Sequence, residues 1–439
     1  MRFVFFILVA LWVPFAATAQ EADDGPGYLA GLLQDALSGS GRDVQIRGFQ
    51  GALSSEASIQ LLSISDDDGE WFRAEDVTLV WTRSALLRGI VDVNAFTAER
   101  IVISRQPLPG ETLPSAEATP FRIPELPVSV IIEEINARSV ILGAPLAGEE
   151  AEFTITGAAR LDDQETDIQF NLERTDGDNA QIALSASYDP RTRALAIDLA
   201  AEEDAGGLVG RVLDIPNQPE LALTVQGEGE IDDFAAELSL ATGGQPRVTG
   251  TVAILAPEAE NSWDVRVDIT GDPSPVLAED MQNFFGTDIA LQARLIRDAS
   301  GRIDLPEFTL AARALDLSGT AAIGANGWPE TFEVTGQMVN PDGGPVVLPF
   351  GGGDTSVSEV TFDAALNGDL RFDARMSDFE NAAANLDQLT LTGRGDIDPQ
   401  SFSADGRFDL GLSFAAEALD IRDTALPAAI GRNRCRSLV

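Results

Sequence analysis

Carboxylates are the side chains of this sequence whose spacing could do chemistry. Asp66-Asp67-Asp68-Gly69 sets oxygen donors close together, as part of a calcium loop would. Aligned to an EF-hand loop, Asp66, Asp68, Gly69 and Glu75 fall in place, but Ile64 stands at the first ligand position and the flanks read as strands. A solvated turn is the stronger reading. Gly351-Gly352-Gly353-Asp354 resembles a fragment of a calcium-binding nonapeptide repeat, yet it occurs once and arrays need several copies. Gly227-Glu228-Gly229-Glu230 is spaced like a phosphate loop, but no phosphate-binding pattern follows it. Paired carboxylates occur throughout so acidic a chain, so proximity alone singles out neither glycosidase nor protease work.

Composition removes further chemistry. The 439 residues hold 71 Asp+Glu against 29 Lys+Arg, all of them Arg, with no His and a net charge of -42. Without His there is no Ser-His-Asp or Cys-His site and no imidazole metal ligand. Without Lys there is no P-loop. The single Cys435 allows neither an internal disulfide framework nor a zinc-thiolate cluster. The negative charge repels nucleic acid, which needs cations against its phosphates. No enzyme activity, cofactor or metal is therefore expected. A chain that is 44% hydrophobic and 7% aromatic still has the material to fold.

What such a chain positions is apolar surface. Met1-Arg2 is followed by an uncharged run from Phe3 to Ala19, with Phe5-Phe6-Ile7-Leu8-Val9 inside it. The Ala17-Thr18-Ala19 ending fits a cleaved signal peptide, and the run is also near the lower limit for a retained signal-anchor. Residues 1–20 are read as one or the other, and the rest as exported. Tyr28, Leu29, Leu32, Leu33, Ala36 and Leu37 lie on one helical face, ended by Ser38-Gly39-Ser40-Gly41. The period then changes to two. Val44-Gln45-Ile46, Val77-Thr78-Leu79-Val80-Trp81 and Arg100-Ile101-Val102-Ile103 read as strands, with a short helical turn at Ser84–Gly89. This N-terminal unit spans 26–106, and a Pro-rich linker, 107–127, follows.

Alternation dominates the region 128–425. Ile168, Phe170 and Leu172 share one side of a strand, as do Ile182 with Leu184, and Leu195 with Ile197 and Leu199. Leu221, Leu223 and Val225 repeat the pattern, and so do Val265, Val267 and Ile269. The intervening residues are acidic, hydroxylic, amide or small, which describes a sheet with one apolar and one wet side. Short helices are expected around Gly206–Leu213 and Pro275–Phe285. An aliphatic–polar–Gly triplet recurs irregularly, as in Ile155-Thr156-Gly157, Val248-Thr249-Gly250, Leu317-Ser318-Gly319, Val334-Thr335-Gly336 and Leu391-Thr392-Gly393. These glycines either bend a one-sided sheet towards its apolar face or end ordinary strands. On pattern alone the apolar face is either covered by a second sheet, as in an exported acidic β-sandwich adhesin or binding module, or open as a groove.

Two stretches resemble the TamB family of translocation and assembly module subunits, which are AsmA-like bridge proteins. The first holds Leu37-Ser38-Gly39, Val44–Ser55, Asp68-Gly69-Glu70-Trp71, Asp76–Trp81, Ser84–Gly89 and Arg105-Gln106-Pro107. The second holds Leu126-Pro127-Val128, Leu142–Leu146, Arg174-Thr175-Asp176-Gly177, Gly206-Gly207-Leu208 and Arg247–Gly250. The resemblance implies a mainly β fold: an elongated curved antiparallel sheet forming an apolar groove, with a few short helices. It implies a periplasmic protein anchored in the inner membrane through its N-terminus. It also implies a role in outer-membrane protein and autotransporter assembly, and phospholipid transfer between the two membranes. The partners implied are an outer-membrane TamA-like protein, engaged through a C-terminal domain not seen in this chain, and cargo that is phospholipid or unfolded outer-membrane protein. The groove-lining candidates are the alternating aliphatics and the phenylalanine named above. Residues 426–439, with Arg432, Arg434, Cys435 and Arg436, break the acidic composition and read as a truncated or frameshifted tail.

Overall fold

The computed structural model describes residues 43–51, 54–108, 129–162, 164–177, 179–255, 262–349, 355–382, 384–397, 408–418 and 420–421. The helix expected at Tyr28–Leu37, the uncharged N-terminal run, Gly351–Asp354 and the tail 426–439 lie outside these residues. The chain forms two compact units, one of Met1–Leu213 with Glu220–Glu228, the other of Asp214–Pro219 with Gly229–Val439. Both are mainly β, with a few short helices, as the alternation predicts.

The first unit contains β1 (Asp43–Arg47), β2 (Glu56–Asp66), β3 (Gly69–Trp81), β4 (Ile90–Ile103) and β5 (Ser129–Leu142). It continues with β6 (Ala151–Leu161), β7 (Thr166–Arg174), β8 (Ala180–Asp189), β9 (Ala194–Glu203) and most of β10 (Leu221–Glu230). Each strand from β1 to β9 pairs with the next in sequence. A 3-10 turn, Arg83–Arg88, joins β3 to β4 where a helical turn was expected. Helix α1 (Ala144–Ala147) follows β5, and α2 (Leu208–Val212) follows β9.

One pairing departs from the antiparallel expectation. β4 and β5 are parallel, with Ile90 opposite Ser129 and Ile103 opposite Leu142. A parallel neighbour must be re-entered from the same end, which takes a connection of about a dozen residues or more. Residues 104–128, which contain the Pro-rich segment, supply it. The return starts at the β2–β3 turn, where Arg105 donates to both Asp66 carboxylate oxygens at 2.9 and 2.5 Å. The Leu108 N–H adds a bond to Asp66 Oδ2 at 2.9 Å. The carboxylates that resembled a calcium loop are thus a hairpin turn whose leading Asp66 is committed to a guanidinium. That hydrogen bond holds the Asp66 carboxyl far below the usual carboxylate range.

The second unit contains β11 (Asp233–Thr242), β12 (Gln245–Leu255), β13 (Trp263–Gly271), β14 (Ile289–Arg297), β15 (Ile303–Ala311), β16 (Leu315–Ile323) and β17 (Pro329–Val339). A small hairpin of β18 (Val346–Val347) and β19 (Ser356–Val357) precedes β20 (Glu359–Asn367), β21 (Asp369–Glu380), β22 (Ala384–Ile397), β23 (Phe408–Glu417) and β24 (Asp420–Ile421). The meander is antiparallel, and β20 pairs directly with β17, so the hairpin is an insertion. Between β11 and β12, Gly243 and Gly244 take φ of 57° and 71°. Two successive left-handed residues suit the tight hairpin that matches strand twist. Helix α3 (Glu279–Phe285) lies between β13 and β14, inside the expected Pro275–Phe285 stretch. Among the described residues no helix is long and apolar enough to cross a membrane.

Candidate functional site

Strand register turns the sequence alternation into a surface. In the first unit Ile59, Val77, Ala98, Ala137, Ile155, Leu172, Ile182 and Ala201 stand opposite one another in turn from β2 to β9. The adjacent row reads Leu79, Phe96, Ile135, Gly157, Phe170, Leu184 and Leu199 from β3 to β9. A third row contains Val93, Ile132, Ala159, Ile168, Ala186 and Ile197. Leu195 faces Tyr188 beside it. The alternate residues of β7 and β8, such as Gln169 opposite Ser185, fall on the other side. A one-residue slip would exchange the two faces, so the pattern fixes the register.

The second unit repeats this. Val252, Val267, Ala293, Phe308, Gly319, Val334, Ala364, Phe372, Gly393 and Leu412 form one cross-strand row from β12 to β23. Val265 faces Leu295, and Ile269 faces both Gly250 and Leu291. Of the sequence candidates, Leu221 is buried, Ile182 is exposed, and the remainder are half-buried. Leu221, Leu223 and Val225 alternate along β10. In each unit the strands form one sheet, and no second sheet covers the apolar face among the described residues; Leu172 also packs against the buried cluster that α1 and α2 complete. A depression of about 360 Å³ in this face is lined by Val360, Phe362, Phe372, Ala374, Met376, Leu389 and Leu391.

The glycines of the five triplets named above sit inside strands on this apolar face, whereas Gly271 of a further triplet, Ile269-Thr270-Gly271, ends β13. At Gly319 an added Cβ would run into the Glu333 backbone carbonyl, so the neighbouring strand approaches too closely for any side chain. At Gly336 it would meet the ring of Phe362, which lies over the glycine. Small residues beside large ones let the rings lie down on the sheet, and mid-strand glycines let the sheet bend.

Each unit closes one margin of its apolar face with a short helix. In the first, Trp71, Phe72, Val140, Phe153, Ala147 of α1 and Leu208 of α2 form a buried cluster. Trp71 and Phe72 both reach it because the β2–β3 register shifts there, between Ile64 and Ser65. Ion pairs hold the helices. Glu149 accepts from Arg174 at 2.8 Å and from Arg211 of α2 at 2.9 and 2.5 Å. Arg174, on the apolar face opposite Phe153, also donates to Asp176 at 2.7 Å. The hydrogen bond from Arg174, aided by the charge of Arg211, lowers the Glu149 carboxyl below its ordinary range. Buried Glu203 accepts from the Val209 N–H at 2.9 and 3.0 Å, satisfying the start of α2. In the second unit the margin is apolar: Phe284 packs with Ala314, Val346, Val357 and Val360.

Among the described residues no three His, Cys, Asp or Glu side chains converge as metal ligands would. Gly227–Glu230, spaced like a phosphate loop, lies within strand β10. Sequence reasoning missed α1, the Glu149–Arg174–Arg211 links and the Arg105–Asp66 clamp. Their partners lie 25 to 62 residues apart, beyond any local pattern. The chain matches no family model, no curated protein and no solved structure.

Proposed function

We propose that the chain is a periplasmic, inner-membrane-anchored subunit of a translocation and assembly module. On this reading its apolar sheet face carries phospholipid acyl chains and apolar segments of outer-membrane proteins towards an outer-membrane TamA-like partner. It works by binding and transfer, without catalysis. The observation that carries the proposal is the apolar face itself: continuous in register across each unit, uncovered by a second sheet among the described residues, and half-buried or exposed in its rows from β6 to β9 and along most of the second unit's row, whereas Val77, Val93, Ala98, Ile132 and Ala137 on β3–β5 are buried. Each methylene removed from water contributes about 0.8 kcal/mol, so a row of aliphatic side chains holds an acyl chain by area without hydrogen bonds. The sequence resemblance supplies the cellular setting.

The test is lipid carried through purification of the full chain in detergent, counted by mass spectrometry. Phe170→Asp with Leu184→Asp and Leu199→Asp should reduce bound phospholipid at least about tenfold, since each charge costs several kcal/mol against hydrocarbon. Asn171→Asp with Ser185→Asp, on the opposite face, should leave it unchanged. Lipid insensitive to the apolar-face charges, or none on the wild-type chain, would contradict the proposal.

A further inference from the structure

We infer that the turn between β3 and β4 is a membrane-contact tip, which seats Leu87 in the interface of an anionic bilayer with Arg83 and Arg88 against the lipid phosphates. Leu87 is 92% exposed, more than any other large hydrophobic side chain among the described residues. The turn that presents it is well seated. It is a 3-10 element in which Ala85 is buried. The Ala85 N–H donates to the Thr82 carbonyl at 3.0 Å, and the Thr82 N–H to the Asp92 carbonyl at 2.8 Å. Arg83 and Arg88 are both exposed. Trp81, half-buried at the end of β3, donates its indole N–H to the Ser54 carbonyl at 3.1 Å. A leucine, a tryptophan and two arginines at one turn suit a bilayer interface, which takes apolar side chains and indole rings and attracts cations to its phosphates.

Charge selects this occupant. From Val77 to Val91 the chain holds two Arg and neither Asp nor Glu, although 71 of its 439 residues are acidic. The other end of β3 meets the Asp66-Asp67-Asp68 turn, and the 13 residues of the strand set the two turns about 40 Å apart. An anionic surface repels the net charge of -42, but salt at 0.1 M screens that repulsion beyond about 10 Å. The cationic end of the hairpin can therefore make contact while the acidic end stays away. A second exposed apolar cluster, Val209, Val212 and Leu213, lacks this match. Its one Arg, Arg211, is committed to Glu149, and Asp204 and Asp214 bracket it. One leucine and two cations make a shallow contact, which gains where the chain is already held at a bilayer. The inference thus rests on the inner-membrane anchoring of the proposed function, and adds to it that the β3–β4 end of the first unit meets the membrane surface.

A polarity-sensitive fluorophore on Ser84→Cys in a Cys435→Ser background tests this in the full chain reconstituted into vesicles, with Asp67→Cys as the control position. In phosphatidylcholine vesicles that contain phosphatidylglycerol, emission from position 84 should shift to shorter wavelength and be quenched by spin-labelled lipid. Position 67 should show neither change. Leu87→Asp should reduce the embedded fraction of the probe at 84 about tenfold, the worth of one buried leucine side chain. Arg88→Glu should reduce it at least about fivefold on these vesicles and little on phosphatidylcholine alone. Both side chains are exposed, so neither change removes packing that folds the unit. A chain that floats with the vesicles while the probe at 84 stays in water would overturn this inference and leave the carrier proposal standing. A chain that does not join the vesicles would overturn both. A blue shift at 84 without quenching by spin-labelled lipid would place the turn against protein, and equal embedding in phosphatidylcholine alone would remove the role of charge; either result would overturn the inference.

Discussion

The two units close one margin of an apolar sheet face by different means. In the first, α1 and α2 add Ala147 and Leu208 to a buried apolar cluster and are tied down by charge as well: Glu149 is shared between Arg174 and Arg211, and Glu203 satisfies the start of α2. In the second, α3 is wedged in by hydrocarbon. Phe284 is 2% exposed, its ring meets that of Phe285 edge-on at 5.1 Å, and the Ala314 N–H donates to its carbonyl at 3.0 Å. The same sequence of strand, short helix and strand is therefore fixed by ion pairs added to apolar packing in one unit and by an aromatic anchor in the other. The two solutions differ in what disturbs them. Charge is lost with protons, and packing is lost with volume.

The largest expected effect lies in the apolar margin. Phe284→Ala should destabilise the second unit by about 3–5 kcal/mol, the range for emptying a buried aromatic site. Phe362→Ala, on the half-exposed face, should cost clearly less, because less area leaves the protein interior. Hydrogen exchange resolved by segment would read both. Equal losses would mean that the apolar face is as buried as the margin, and the contrast between them would fail.

Next come the glycines. Gly319→Ala forces the new methyl against the Glu333 backbone carbonyl and should cost about 1–3 kcal/mol. Gly336→Ala meets the far end of the Phe362 ring, which can swing away, and should cost less. Urea unfolding of the two variants would rank them, and the reverse order would place the strand bend elsewhere.

The smallest effect is acid-dependent and belongs to the first unit's margin. Glu149 is held below its ordinary value of about 4.3, so its contribution is fully present above that pH and is lost as pH falls through the lower, folded value. Protection of the α2 amides, measured against unstructured peptide at each pH, should fall over the acid window that lies below that ordinary value. Glu149→Gln should begin less protected and change little over that window. The α3 amides should show no such step, and an equal step at α3 would remove the distinction.

Much of this was legible in the residues, for reasons of range. The alternation of Asp167–Glu173 becomes β7, and the Gly206–Leu213 and Pro275–Phe285 stretches contain α2 and α3. The side of the strand that each aliphatic occupies follows from a period of two. What stayed hidden is non-local. The parallel pairing of β4 with β5 depends on how the chain returns between them, and a run of prolines restricts backbone angles without saying which strand comes next or in which direction. Whether a glycine ends or bends a strand depends on the neighbour it must admit: Gln169 beside Gly157, Glu333 beside Gly319. The apolar rows were foreseeable strand by strand, but their continuity across strands is a property of register.

The central claim is that one face of the sheet is an open apolar surface that holds acyl chains. A photo-reactive side chain at position 184, with its neighbour at 185 as the opposite-face control, tests it most directly. Leu184 stands between Phe170 and Leu199 on the apolar face, and Ser185 between Gln169 and Asp198 on the other. The account predicts phospholipid adducts from position 184 and not from position 185 when the full chain is irradiated with lipid vesicles. Adducts of equal yield at both positions, or cross-links from 184 only to other parts of the protein, would contradict it.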